Sequence, residues 1–493
     1  MPNDHFNLAE YVLRAGALLP AKTALNVVSK DGQDIWNYQR LIAAVRGTAT
    51  GLLALGLRPG QIVLLRLGNT PDFPVAYLGA LAAGLVPVPT ASALTETEVA
   101  KMIATLSPAL VLRDPRVSCP KAAATLDLED LRGMRALPPA PWHWGDPDRL
   151  GYIIYTSGTS GKPSAVMHAH RAIIARQMMI KGWYDMQASD RIMHAGAFNW
   201  TYTLGTGLMD PWTLGATALI PAPGTPPQDL PQLLKQHKAT LFAAAPGVYR
   251  QMLKDQTAFE LAHLRHGLSA GEKLSAPVRT AWHHATGTHI YEAFGMSECS
   301  TFISSAPNHP ARAGTLGAPQ PGRQVKIMTP DGPAKTGAPG TIAIHRSDPG
   351  LMLGYYGAPE ETAARFQAEW FLTGDQGVMD ADLQVTYLGR NDDMMNAGGF
   401  RVSPLEVEAA FADMPGVAGF GATEVEIKPG VTVIAGFYTA PHPLDEAALD
   451  AYAKDKLARY KQPRLYVHLP ALPTGANGKL QRRALRAEYE ARK

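Results

Sequence analysis

Short apolar runs separated by amphipathic stretches recur along most of the chain, and this alternation narrows the available folds more than any other feature. Ile62-Val63-Leu64-Leu65, Leu110-Val111-Leu112, Tyr152-Ile153-Ile154-Tyr155, Ala218-Leu219-Ile220 and Leu241-Phe242-Ala243 have the length and composition of buried strands. Between them, Tyr38 to Leu55 and Leu230 to His237 repeat apolar residues at helical spacing. The pattern predicts an α/β fold whose parallel or mixed sheets are flanked by helices. Ligands in such folds sit at the carboxyl ends of the strands. With 493 residues the chain is too long for one core, so more than one domain is expected.

The pattern changes near Leu388. Before it, loops rich in Gly and Pro (Pro319 to Gly322, Thr336 to Gly340) mark a β-rich subdomain. After the polar turn Gly389-Arg390-Asn391-Asp392-Asp393 comes a compact set of elements. A helix is predicted over Pro404 to Met414, strands near Val417 to Thr423 and Val431 to Tyr438, and a helix over Asp445 to Arg459. The division expected is therefore a large domain, 1–389, and a small mobile α+β domain, 390–493, hinged at the turn.

Composition excludes several classes. Hydrophobic residues make up 46% and charged residues 18%, which suits a folded enzyme and not a disordered chain. The net charge of +3 comes with no Lys/Arg-rich stretch, so nucleic acid is not an expected partner. Cys119 and Cys299 form neither a disulfide framework nor a metal motif. Met1 to Leu19 lacks the basic-then-apolar order of a signal peptide. The apolar run Val75 to Val86 is far shorter than the ~20 residues that span a bilayer and is expected as a buried helix. A cytoplasmic protein with no membrane partner is the expectation; a homo-oligomer is left open.

Four loops carry chemistry. Tyr155-Thr156-Ser157-Gly158-Thr159-Ser160-Gly161-Lys162-Pro163 follows an apolar strand and is expected to lead into a helix over His168 to Met179. Its glycines let backbone N–H groups turn inward among hydroxyls and a lysine, equipment for cradling phosphate. It is not a Walker A loop, and an ordinary polar turn has the same composition. Gly271-Glu272-Lys273, with Tyr291-Glu292-Ala293-Phe294-Gly295-Met296-Ser297-Glu298, offers an aromatic for a purine and a carboxylate for Mg²⁺; a core Phe beside a surface Glu is the plainer alternative. Trp370-Phe371-Leu372-Thr373-Gly374-Asp375, followed by Gly389-Arg390, presents a carboxylate and an arginine suited to ribose hydroxyls. Leu472 to Lys479 is a glycine loop ending in one lysine.

In order and spacing these motifs, with Gly398-Gly399-Phe400-Arg401, resemble the adenylate-forming superfamily, which includes acyl-CoA synthetases, luciferases and the adenylation domains of peptide synthetases. The likeness spans essentially the whole chain. It implies that Thr156, Ser157, Gly158, Thr159, Ser160, Gly161 and Lys162 close over the β- and γ-phosphates of ATP. Gly271, Glu272, Glu292, Ala293 and Phe294 would surround adenine, Ser297 would lie near the α-phosphate, and Glu298 would hold Mg²⁺. Asp375 and Arg390 would bind ribose, Arg401 phosphate, and Lys479 would bridge the substrate carboxylate and the α-phosphate. The small domain would pivot at Asp392, bringing Gly398 and Gly399 to coenzyme A.

The same resemblance addresses the acid. Thr70 to Ala80, Ser269 to Glu272 and Val402 to Glu408 look like benzoate and hydroxybenzoate CoA ligases, and Leu208 to Ala216 like medium-chain acyl-CoA synthetases. Trp200, Thr201, Tyr202, Gly295, Thr301 and Phe302 fall where those enzymes line the acyl site. At Gly295 acetyl-CoA synthetases carry a blocking tryptophan, so an aromatic, medium-chain or branched carboxylate larger than acetate is expected. The segment Gly196 to Gly205 lacks the histidine of several relatives. The phosphate loop departs from the family's Lys-Pro-Lys-Gly, reading Lys162-Pro163-Ser164-Ala165. Two other outcomes stay open: loading of a separate carrier protein, and a silent nucleotide or acyl-adenylate binder. His168 and His170, spaced like ligands but lacking a third, are not expected to bind metal; His283-His284 is expected on a helix surface and Cys299 as a packed thiol.

Overall fold

The structure, a computed structural model, describes residues 5–121, 124–156, 164–198, 201–254, 258–271, 273–391, 393–397, 400–428, 431–457, 459–475 and 480–492. The chain forms two compact units, one of Met1–Gln324 with Ile344–Trp370 and one of Val325–Ala343 with Phe371–Lys493.

Among the described residues of the first unit, nine strands make one sheet. Its parallel centre runs Ile290–Met296, His266–Ala270, Leu241–Ala244, Arg191–His194, Thr217–Pro221 and Thr23–Val28. Antiparallel strands close both edges: Gln33–Asn37 on one side, Ser300–Ser304 and then Ala318–Pro319 on the other. The central strands are buried almost throughout, which is why they read as continuous apolar runs in place of an alternating pattern. A second, parallel sheet joins Val86–Pro89, Ile62–Arg66, Leu110–Arg113 and Thr125–Asp127. The expected buried helix is Asp72–Ala82, with every residue buried, and the apolar run continues past it into Val86–Pro89. No helix among the described residues is long and apolar enough to cross a membrane.

One local expectation is corrected. The helix expected over His168 to Met179 begins only at Ala172, because Ser164–Ala169 is a strand paired antiparallel with Leu150–Thr156, Thr156 opposite Ser164. Ala165, Val166, His168 and Ala169 are buried, so tertiary pairing overrides the helical preference of Ala and Met. The loop therefore joins two strands, and Ser164 and Ala165, where the family has Lys-Gly, are ladder residues.

In the second unit, Trp370–Met379 pairs with Val385–Arg390. A further sheet of Gly419–Lys428, Val431–Thr439 and Leu465–His468 packs with the helices Pro404–Phe411 and Glu446–Lys456 around Phe411, Ile434 and Leu449. Those elements lie close to the spans expected from sequence. Arg482 forms a bidentate pair with Glu408, its Nη2 2.7 Å from Oε2, tying the C-terminal helix Arg482–Glu490 to Pro404–Phe411.

Candidate active site

The carboxyl ends of His266–Ala270 and Ile290–Met296 lie side by side, with Ser269 opposite Glu292 and Ala270 opposite Ala293. Gly271 follows at φ +97°, a turn few residues other than glycine adopt. Glu292 is buried, and its carboxylate accepts from the Leu274 N–H (2.9 Å) and from Arg279 Nη2 (2.9 Å). Burial pushes its carboxyl above the usual range, against the pull of these two partners. Glu292 thus pins the segment after Gly271. Phe294 is half-buried with its ring edge-on to Phe302 at 5.5 Å.

Ile290–Met296 turns into Ser300–Ser304 through Ser297, Glu298 and Cys299. The hairpin is irregular, its register slipping at Phe294/Gly295 and Ser300 sitting at φ +60°. A left-handed serine of this kind costs about 1–3 kcal/mol and needs surrounding contacts to hold it. Those contacts are present. Ser300 Oγ accepts from Arg176 Nη1 (2.7 Å), Glu298 O from the Met352 N–H (2.7 Å), and Ser297 O bonds His168 Nε2 (2.8 Å). The Glu298 carboxylate accepts from the Tyr355 hydroxyl (2.8 Å), which burial and the adjacent carboxylate keep protonated well past its ordinary range. Gly295 has a backbone reason to be glycine: a Cβ there would sit 2.2 Å from the Ser300 carbonyl oxygen.

Beside this turn lies an aromatic wall. Tyr202 stacks on Trp183 (6.3 Å, 11°) and meets His194 edge-on at 4.5 Å. Trp183 lies in a π-helical turn, Ile180–Tyr184, and Tyr202 stands before another, Thr203–Met209. Such turns are rare and concentrate at functional sites. Beneath them Arg176 and the fully buried Asp210 form a bidentate pair (2.8 and 2.6 Å), and the Tyr184 hydroxyl donates to the same carboxylate (2.7 Å). Phe302 is fully buried, and the half-buried Thr301 donates from Oγ1 to Met179 Sδ (2.8 Å). Thr201 is exposed.

In the second unit Asp375 is buried and faces Arg390 across the ladder, Arg390 Nε lying 3.8 Å from Oδ1. The Tyr387 hydroxyl donates to the same oxygen (3.0 Å). Arg401 pairs with Asn396 in the hairpin Met395–Ala397/Phe400–Val402. Ser157, Gly158, Thr159, Ser160, Gly161, Lys162, Trp200, Glu272, Asp392, Gly398, Gly399 and Lys479 lie outside the described residues, and of Thr156 and Arg401 only the backbone is described.

Sequence reasoning missed Trp183, His194, Arg176, Asp210 and Tyr355. The segment Gly196 to Gly205 carries no histidine, yet His194, two residues ahead of it, reaches the aromatic wall. Arg176 and Asp210 are 34 residues apart, with nothing in the sequence to pair them. His168 and His170 are buried, and no cluster of three metal-ligating side chains exists among the described residues. Cys299 is buried and its thiol pushed well up by that burial, as a packed side chain. His283 and His284 are exposed on the helix Ala276–Thr286.

Strand ends that frame a buried acidic anchor, a carboxylate held on a tight hairpin and an aromatic cluster beside them are the features of an adenylate-forming ligase. The chain belongs to the AMP-binding enzyme family, whose pattern matches residues 14–356. It is 30% identical, over 514 aligned positions, to benzoate–CoA ligase of Thauera aromatica, covering 98% of this chain and 96% of that one. It is 28% identical over 488 positions to 3-hydroxybenzoate–CoA ligase of Aromatoleum sp. (strain CIB), covering 92% of each. Its fold matches that of the anthranilate CoA ligase AuaEII in complex with anthranoyl-AMP, with a TM-score of 0.88 at 25% identity over 100% of this chain and 99% of that one. The chain is an AMP-forming acid–thiol ligase.

Proposed function

We propose that this ligase activates an aromatic or medium-chain or branched carboxylate larger than acetate and transfers it to coenzyme A through an acyl-adenylate. The observation that carries the proposal is the packed aromatic cluster of Trp183, Tyr202 and His194, tied to the strand that leads into the Glu298 turn by Trp183 Nε1 donating to Tyr291 O (3.0 Å). Apolar and aromatic side chains of this kind line the sites of flat rings and short branched chains. The aromatic acids named for the relatives and the structural neighbour point the same way.

In the first half-reaction the acid's carboxylate attacks the α-phosphorus of ATP and pyrophosphate leaves; in the second the thiol attacks the mixed anhydride and AMP leaves. We assign Lys479 the part of the cation that stabilises the charge crowding in the transition state as the two anions meet. Ser297 serves the α-phosphate, Asp375 and Arg390 the ribose, and Glu292 holds the adenine-side segment by its backbone. The hairpin fits Mg²⁺, because Glu298 is a hard oxygen donor steered by Tyr355, and that ion takes one or two carboxylates besides phosphate oxygens. When bound it neutralises phosphate charge; Glu298 is the residue that would hold it.

The test is pyrophosphate exchange across acetate, butyrate, hexanoate, benzoate and hydroxybenzoates, followed by AMP release with and without coenzyme A. Exchange with ring or medium-chain acids and little with acetate, and CoA-dependent AMP release, is the expected result. Exchange without CoA-dependent turnover would point to a carrier protein, and no exchange with any acid would defeat the proposal. Lys479→Ala is expected to abolish exchange and largely spare thioester formation from supplied acyl-AMP.

A further inference from the structure

The Glu298 turn is gripped on its inner side by a charged pair that the reaction does not itself use. Arg323 and Asp348 are buried, and neither side chain reaches solvent. Arg323 Nε donates to Asp348 Oδ2 (2.8 Å), Nη1 to Thr301 O (2.8 Å) and Nη2 to Cys299 O (2.9 Å). One guanidinium therefore holds the backbone carbonyls on both sides of the left-handed Ser300. A buried ion pair is weak evidence for stability, because desolvation offsets most of its attraction, so its placement calls for another reason.

The surroundings supply that reason. Asp348 is itself fixed, Oδ1 accepting from the Gly350 N–H (2.8 Å). A Cβ at Gly350 would lie 2.9 Å from Arg323 Nη2 and 3.1 Å from Cys299 O, so glycine is what lets this segment close over the guanidinium. A few residues on, the same segment provides the Met352 N–H to Glu298 O and the Tyr355 hydroxyl to the Glu298 carboxylate. Arg323 and Asp348 thus lock together the two pieces of chain that aim Glu298: the hairpin that carries it and the segment that hydrogen-bonds it.

We propose that Arg323, fixed by Asp348, is a positioning residue for adenylate formation, setting the strained turn so that Glu298 and Ser297 face the nucleotide phosphates. The inference rests on the proposed role of that turn. Lysine cannot replace it, since a single ammonium lacks the planar fork that spans a carboxylate and two carbonyls. Groups that orient a metal-binding carboxylate typically matter by roughly 10–100-fold in metal affinity or activity.

The test is the double variant Arg323→Met/Asp348→Asn, which removes both charges and leaves no unpaired ion. In folded protein, with a cooperative melt, pyrophosphate exchange is expected to fall roughly 10–100-fold and the Mg²⁺ concentration for half-activity to rise. Thioester formation from supplied acyl-AMP is expected to stay within about threefold, since that step does not need the metal-binding geometry. Unchanged exchange and Mg²⁺ dependence overturn the proposal, and so does equal loss of both half-reactions, the mark of a purely structural pair. Should the double variant not fold, Arg323→Lys, which keeps the charge beside Asp348, is judged by the same two ratios. Absence of exchange in the wild-type chain with every acid overturns the functional reading itself and is distinguished by that control.

Discussion

Four imidazoles locked neutral inside the first unit make a quantitative prediction about acid. Burial holds His168 and His266 down to about 4, and His170 and His194 down to about 3, from an ordinary value of 6.5. In the unfolded chain each takes up its proton near pH 6.5; in the folded chain none does until far lower. A base whose pKa is depressed by folding contributes stability that is intact above its unfolded value and lost as pH falls toward its folded one. Between pH 7 and pH 5 the unfolded state gains nearly one proton per histidine. Integrated at about 1.4 kcal/mol per proton per pH unit, this is just under ~2 kcal/mol each and about 7–8 kcal/mol for the four. A whole domain is typically stable by only about 5–15 kcal/mol.

Urea unfolding at pH 7, 6 and 5, followed by the fluorescence of the buried Trp183, Trp212 and Trp282, measures this loss directly. The specific perturbation is His170→Asn. His170 Nδ1 accepts from the Leu8 N–H (3.1 Å), and an asparagine Oδ1 at the same distance from Cβ can accept in its place without titrating. The variant is expected to lose about 1–2 kcal/mol at pH 7 for the smaller side chain and to shift by about 2 kcal/mol in its favour relative to wild type on going to pH 5. Equal wild-type stability at pH 7 and pH 5, or an acid slope unchanged by His170→Asn, would refute the reasoning.

The other predictions concern the site. Tyr355→Phe removes the only donor shown for the Glu298 carboxylate among the described residues, and is expected to lower pyrophosphate exchange about tenfold at limiting Mg²⁺ with the melting transition preserved. Glu292→Ala leaves the Leu274 N–H and the Arg279 guanidinium without their acceptor, so a stability loss of about 2–4 kcal/mol in urea and a raised KM for ATP are expected. Gly295→Ala drives a Cβ against the Ser300 carbonyl; a loss of about 1–3 kcal/mol and poor exchange with every acid are expected, whereas a change confined to acid preference would show that the backbone contact is unimportant.

What the sequence determined alone was the architecture and the inventory of loops. Continuous apolar runs at Leu241 to Ala244 and Ile62 to Arg66 are legible because strands buried on both faces need no alternation. The motifs from Thr156 onward are legible as the mark of the family, whose pattern matches residues 14–356. The helix expected from His168 starts only at Ala172, because pairing with Leu150–Thr156 draws His168 and Ala169 into a strand against the helical preference of alanine. Gly295 shows the same division: its likeness to an opened acyl pocket is visible in sequence, while the close approach of Ser300 that demands glycine is visible only in the folded hairpin. Tertiary structure alone brought His194 and Trp183 to Tyr202, Arg176 to Asp210, and Arg323 to Asp348, Cys299 and Thr301. These contacts join residues far apart in the chain, and a buried charge can be placed only once the fold supplies both its partner and the dry interior that makes the partner necessary.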